Sequence, residues 1–292
     1  MILPKIILSN LSLLMLVFFY YYYIISTRKR CTLYIALTIL LIVLSIFCHE
    51  YGHLWAMHKY GIKVKKMGIG LPLSFLTLKI QHPKICFGVP LYLSPLVLLG
   101  YVQPEDEEYL AQLNTEKQLH IDGMGILMNI IFSACMSILA SRNITTSVLS
   151  AIIAIVVLVF NKEICKYILP VLSLSTIVFV PIIFVNTVRL VPDAGHSTSV
   201  QVSSVFALIT GYQEALLMAS LISIGLAAIN ILPLVPLDGG KIISIVGRIW
   251  LSERVVKTYE VLTILIMIII TLVSIYDTGL AALRGIIKTI WP

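Results

Sequence analysis

Residues 47–53 read Phe47-Cys-His-Glu-Tyr-Gly-His53, and they close a largely apolar, uncharged run that begins at Ile35. A segment suited to hydrocarbon ends in two histidines and a glutamate. Charged groups at membrane depth cost about 2.5–3.5 kcal/mol each on insertion scales, so ionisable residues there are rare unless they have work to do. On a helix, residues four apart share a face, so His49 and His53 point the same way. The pattern H-E-x-x-H therefore offers two imidazoles to one metal ion, with Glu50 beside them and free to act on a water. Zinc is the ion this ligand chemistry suits, at one per chain. Its catalytic sites use three protein ligands and leave a fourth position for water, whose proton Glu50 is placed to accept.

The bulk composition supports the membrane setting. Of 292 residues 59% are hydrophobic and 12% charged, with a mean hydropathy of +1.00. Soluble domains carry about 25% charged residues. The net charge of +7 invites a nucleic-acid reading, but the basic residues fall in short clusters between apolar runs, which is the pattern of membrane topology. Nucleic acid is excluded as a partner; the lipid bilayer is implied. The five cysteines form no C-x-x-C pair and sit mostly in or beside apolar segments, as small hydrophobes rather than a disulfide framework.

At about 20 apolar residues per crossing, the expected spans lie near 6–26, 32–57, 120–141, 145–160, 166–190, 213–235 and 257–276. The first reads as a retained anchor rather than a signal peptide, because it exceeds the usual h-region of about 7–15 residues. Between the second and third spans, the runs 67–80 and 89–102 are apolar but broken by Gly and Pro, which suits short strands and turns at the bilayer face. The expected fold is an all-α polytopic membrane protein of about six or seven transmembrane helices, with a small membrane-associated β region between the first two motif helices. Its expected divisions are an anchor at 1–30, a first catalytic part at 31–141, an extra helical hairpin at 142–204, a second catalytic part at 205–276 and a tail at 277–292. The acidic stretch Glu105-Asp-Glu-Glu108 reads as a solvated connection. Placing Lys59, Lys63, Lys65 and Lys66 in the cytoplasm puts most Lys and Arg there, although Arg28-Lys-Arg30 falls on the other side. The candidate site then lies toward the cytoplasmic side of a multi-pass protein of the cell membrane.

A third ligand is needed. His58, His82, His120 and His196 are candidates, but the strongest is Asp238, in Asn230-Ile-Leu-Pro-Leu-Val-Pro-Leu-Asp-Gly-Gly240. This aspartate follows a long apolar stretch and sits where Pro and Gly break helical geometry, and broken helices at membrane depth are tolerated where they line a cavity.

These two segments resemble the site-2 protease family of intramembrane zinc metalloproteases, which pairs an H-E-x-x-H helix with a distant N-x-x-P-x-x-x-L-D-G segment. Met67-Gly-Ile-Gly70 and Leu99-Gly-Tyr-Val102 are similar to further stretches of that family, and Gly125-Ile-Leu-Met-Asn129 to its G-x-x-x-N, although Ile126 stands where many members have Pro. The resemblance implies that His49, His53 and Asp238 bind zinc, that Glu50 is the catalytic base and that Asn129 lies by the active site, as an oxyanion donor or as a helix-packing residue. It also implies a membrane-spanning protein substrate. The chain departs from the family in lacking room for a PDZ-type domain between the motif helices. Two other classes compete with proteolysis. Intramembrane His and Asp also mark metal-ion transporters, and a catalytically silent member would bind membrane helices without cutting them. Glu50 at its place within H-E-x-x-H favours hydrolysis.

Overall fold

The computed structural model describes residues 29–70, 77–82, 86–94, 100–176 and 211–290. Eight helices and four short strands are labelled here in chain order: α1 (Lys29–Lys59), β1 (Val64–Ile69), β2 (Leu78–Ile80), β3 (Leu91–Leu93), β4 (Gly100–Pro104), α2 (Glu107–Gln112), α3 (Thr115–Ala140), α4 (Ile144–Val159), α5 (Asn161–Thr176), α6 (Tyr212–Ile231), α7 (Asp238–Trp250) and α8 (Glu253–Ile290). Among the described residues, four helices are long and apolar enough to cross a membrane: Leu33–Lys59 of α1, α3, α6 and Glu253–Val273 of α8.

The expected count of six or seven spans is not reached in these residues. The stretches 6–26 and 177–190 lie outside them. Of the spans expected near 145–160 and 166–190, the described residues form α4 and α5, a pair bent by 76° at Phe160, which raises the count among the described residues to at most five. The polar triplet Asn161-Lys162-Glu163 begins α5 directly after the bend. A π turn at Ile164–Ile168 then precedes Pro170, an adjustment helices make around a residue that cannot donate its backbone bond.

α1, α3 and α6 pack together, and their contacts show what membrane packing selects. The face that α6 buries is made of Ala215, Ala219, Ser220, Ser223 and Ala227, whereas Leu217, Leu221 and Ile229 are exposed. With lipid as apolar as leucine, helices associate through small side chains that permit close approach and through hydrogen bonds across the seam. Ser133 and Ser220 bond at 2.9 Å between α3 and α6, and Ser137 and Ser150 at 3.2 Å between α3 and α4. Against this bundle a larger core gathers Ala56, Met57, Leu119, Ile126, Leu127, Cys165, Leu169 and Ile242, which seats α5 and α7 on α3.

The Gly- and Pro-broken runs form a four-stranded sheet of order β2-β3-β1-β4, with β1 parallel to β3 and the other pairs antiparallel. Its inner side, with Met67, Ile69 and Leu91, packs on Ile46 and Leu54 of α1. Its other side carries Lys66 over the Tyr92 and Tyr101 rings at 5.9 and 5.5 Å, and burial pushes the Tyr101 phenol above its ordinary value, with Tyr92 adding to the rise. β4 is an edge strand that, among the described residues, pairs with β1 alone.

His120, weighed as a ligand from the sequence, does structural work. It is 1% exposed, and its ring nitrogens meet the Tyr60 hydroxyl at 2.9 Å and Asn161 Oδ1 at 2.8 Å. One ring thus joins the exit of α1, the start of α3 and the α4–α5 bend. Asn161→Ala leaves a buried ring nitrogen without its partner, so a stability loss of about 1–3 kcal/mol is expected, measured by thermal unfolding in detergent. An unchanged Tm would show that the bend is not held from α3.

Candidate metal centre

On α1 the residues Ser45, His49 and His53 recur every fourth position and face the seam with α3 and α6. His49 and His53 place their Nε2 atoms 3.2 Å apart, and both side chains are buried. The close approach of α3 makes this possible. A Cβ on Gly125 would lie 2.8 Å from His49 Cε1 and closer still to His53 Nε2, so no larger residue fits opposite the rings.

The third group arrives from the other end of the fold. α6 stops at Ile231, and the segment to Leu237 folds back in short turns, with Leu234 N donating to Leu232 O and Leu237 N to Leu234 O, both at 2.8 Å. Pro233 and Pro236 have no N–H to leave unpaired. α8 fastens this loop: the Tyr259 hydroxyl donates to Pro233 O at 2.7 Å, and Val235 N donates to Thr263 Oγ1 at 3.3 Å. Asp238 is the first residue of α7, where the helix dipole favours a negative charge. Its Oδ2 stands 3.1 Å from His49 Nε2 and 3.2 Å from His53 Nε2, while its Oδ1 accepts from Lys241 Nζ at 2.8 Å.

The donor set fits a small cation. Two donors at zinc's bond length of about 2.0–2.1 Å and at tetrahedral angles stand about 3.3–3.4 Å apart, close to the three edges of this triangle. The protons agree. His53 Nδ1 lies 2.7 Å from the Ile121 carbonyl, which only accepts, so in the neutral ring the proton sits on Nδ1 and Nε2 carries a lone pair. Asp238 Oδ2 is buried with no hydrogen-bond donor. Lone pairs facing one another out of water are unfavourable until a cation joins them. Among the described residues, His49, His53 and Asp238 form the one group of three that could hold a metal ion.

Glu50 lies beside the triangle, buried. The first residue of β4 presses on it, because a Cβ on Gly100 would fall upon the Glu50 carboxylate. Asn129, fully buried on α3, lies behind His49: one outer atom of its side-chain amide is 3.1 Å from His49 Nδ1 and the other 3.4 Å from Ser45 Oγ. The amide is therefore directed at a ligand ring and a serine. His58 is stacked on Phe87 with ring centres 4.0 Å apart, and neither it nor His120 joins the triangle. Three residues of the centre went unread in the sequence. Ser45 and Lys241 were open to a helical-spacing argument, four before His49 and three after Asp238. Ser223 of α6, whose Oγ lies 2.8 Å from Ser45 Oγ, carried no such signal.

Residues 37–274 match the sequence model of peptidase family M50. Among curated proteins, none matches the chain. The matched region covers most of the chain and holds both the H-E-x-x-H helix and the Asp238 segment, brought together as described. The chain thus belongs to peptidase family M50, the site-2 protease family.

Proposed function

We propose that this protein is an intramembrane zinc metalloprotease that hydrolyses peptide bonds of membrane-spanning protein substrates, in the manner of regulated intramembrane proteolysis. The observation that carries this reading is the buried triangle of His49 Nε2, His53 Nε2 and Asp238 Oδ2, with edges of 3.1–3.2 Å, alongside Glu50. These three atoms would hold the zinc ion. When bound, the ion supplies Lewis acidity, lowering the pKa of a water and polarising a carbonyl. The Glu50 carboxylate takes up the water's proton and returns it to the departing amine, the work of a general base turned general acid. Lys241 occupies Asp238 Oδ1 and so leaves one oxygen of that carboxylate directed at the imidazoles.

A peptide bond inside a membrane helix is shielded by its own hydrogen bonds, so cleavage requires local unwinding. In lipid the released backbone groups must find new partners. β4 supports a route: it is an edge strand, and it begins against Glu50. An unwound substrate segment added along β4 would recover main-chain hydrogen bonds while lying next to the base. The placement of Glu50 beside the triangle favours hydrolysis over ion conduction or silent binding.

We place the site toward the cytoplasmic side of the cell membrane. α1 carries the histidines in its second half and leads directly into Lys59, Lys63, Lys65 and Lys66, the residues that the positive-inside tendency keeps in the cytoplasm.

Three outcomes are expected. Glu50→Gln should keep about one zinc per chain while cleavage of a membrane-spanning reporter falls by about 100- to 10,000-fold; His53→Ala and Asp238→Asn should lose the metal as well. Persistent cleavage by the Glu50 variant would end its assignment as base. Gly100→Val, which drives a side chain into the Glu50 carboxylate, should lower cleavage by at least about tenfold with zinc content unchanged. Lys65→Cys, in a background without the native cysteines, should be shielded from impermeant thiol reagents applied outside intact cells; ready labelling would reverse the topology.

A further inference from the structure

Three helices meet behind His49 in a chain of hydrogen bonds whose direction can be worked out from one end. The Asn129 backbone carbonyl can only accept. Ser223 Oγ of α6 lies 2.9 Å from it and must donate its single proton there. Ser45 Oγ of α1 is 2.8 Å from Ser223 Oγ, and Ser223 has no second proton, so Ser45 is the donor of that bond. Ser45 has then spent its proton as well. Its contact with the Asn129 side chain must be donated by the amide NH2, and the amide oxygen is thereby turned toward His49 Nδ1. An amide presents oxygen or nitrogen within the same outline, and the hydrogen-bond network decides which. An oxygen facing Nδ1 requires a proton on Nδ1, so Nε2 of His49 holds a free lone pair directed at His53 and Asp238.

We infer that Ser223 and Ser45 are positioning residues which, through the Asn129 amide, fix His49 in the tautomer able to bind the metal. The inference rests on the metal-site reading above. It gives His49 the same proton arrangement that the Ile121 carbonyl gives His53, by a longer route through α6. Ser45, Asn129 and Ser223 are all fully buried, so water does not offer a replacement partner. Groups that orient a ligand in this way commonly change metal affinity by about 10- to 100-fold when removed. Without the Ser223 hydroxyl, Ser45 is released to donate to the amide oxygen. The amide then turns its NH2 to Nδ1, and the ring proton moves to Nε2, where it obstructs the ion.

The test uses the full-length protein in detergent, with zinc affinity measured by competition against a chromophoric chelator. The site of the ring proton is read separately from 15N-histidine NMR of the metal-free protein. Ser223→Ala is expected to weaken zinc binding about 10- to 100-fold and to give His49 an Nε2–H signal, while Ser223→Thr restores both. Ser45→Ala combined with Ser223→Ala should cost little more than Ser223→Ala alone, because the two act as one unit. Ser220→Ala is the control, since it breaks a serine contact between the same two helices, at 2.9 Å to Ser133, without touching the chain to His49. An Nδ1–H ring in Ser223→Ala with wild-type zinc affinity would overturn the inference, as would an equal loss of zinc in Ser220→Ala. A wild-type chain that takes up no zinc would sink the metalloprotease reading instead, and the tautomer measurement on metal-free protein would still judge the serine chain.

Discussion

Three electron-pair donors held against one another without water between them are the constraint on which this fold turns. In a soluble protein such a cluster would be relieved by solvent. Here His49, His53 and Asp238 are buried among helices whose outer surfaces carry leucine, isoleucine and valine, and partners on their far sides hold them facing one another: the Ile121 carbonyl, the Asn129 amide and Lys241. Each holds a ring or a carboxylate in a single orientation. The close approach of α3 at Gly125, the folded-back loop before Asp238 and the small residues along α6 all serve to bring those partners within reach.

The polarity of the bundle follows from the same setting. Water-soluble proteins put apolar groups inside; this one has them on both sides, so hydrophobic burial does not tell α1 where to meet α6. Recognition between helices falls to alanine and serine, which set how near the axes come, and to hydroxyls that pair across the seam. The seam and the metal centre therefore draw on the same residues, as Ser45 shows by belonging to both.

Much of the centre was legible in the sequence because its residues announce themselves by spacing or by local geometry. His49, Glu50 and His53 are fixed by one helical turn, and Asp238 is marked by the prolines and glycines that break its surroundings. The strands were legible too, since runs such as 67–80 are too interrupted for helices. The α4–α5 bend was not. Hydropathy counts apolar residues but carries no direction, and a polar triplet such as Asn161-Lys162-Glu163 reads alike as a loop between spans or as the start of a bent helix. His120 stood among the candidate ligands because nothing near it in the sequence shows its own partners, Tyr60 and Asn161, which come from two distant segments. Ser223 was silent for a similar reason: serine is common where membrane helices touch, and only the carbonyl it meets on α3 gives it a direction.

The ligands come from distant parts of the chain. Two imidazoles ride on α1, and the carboxylate rides on α7, which is tied to α8 by the Arg248–Glu260 pair at 3.0 Å. In the metal-loaded protein proposed here, the ion is therefore a staple between the early and late parts of the polypeptide as well as a reagent. Its loss would cut a tether between those parts, and a shift of α7 relative to α1 would loosen the grip on the ion before any catalytic group had changed. Catalytic competence therefore leans on the same core around Ile242 that docks α7 on α3.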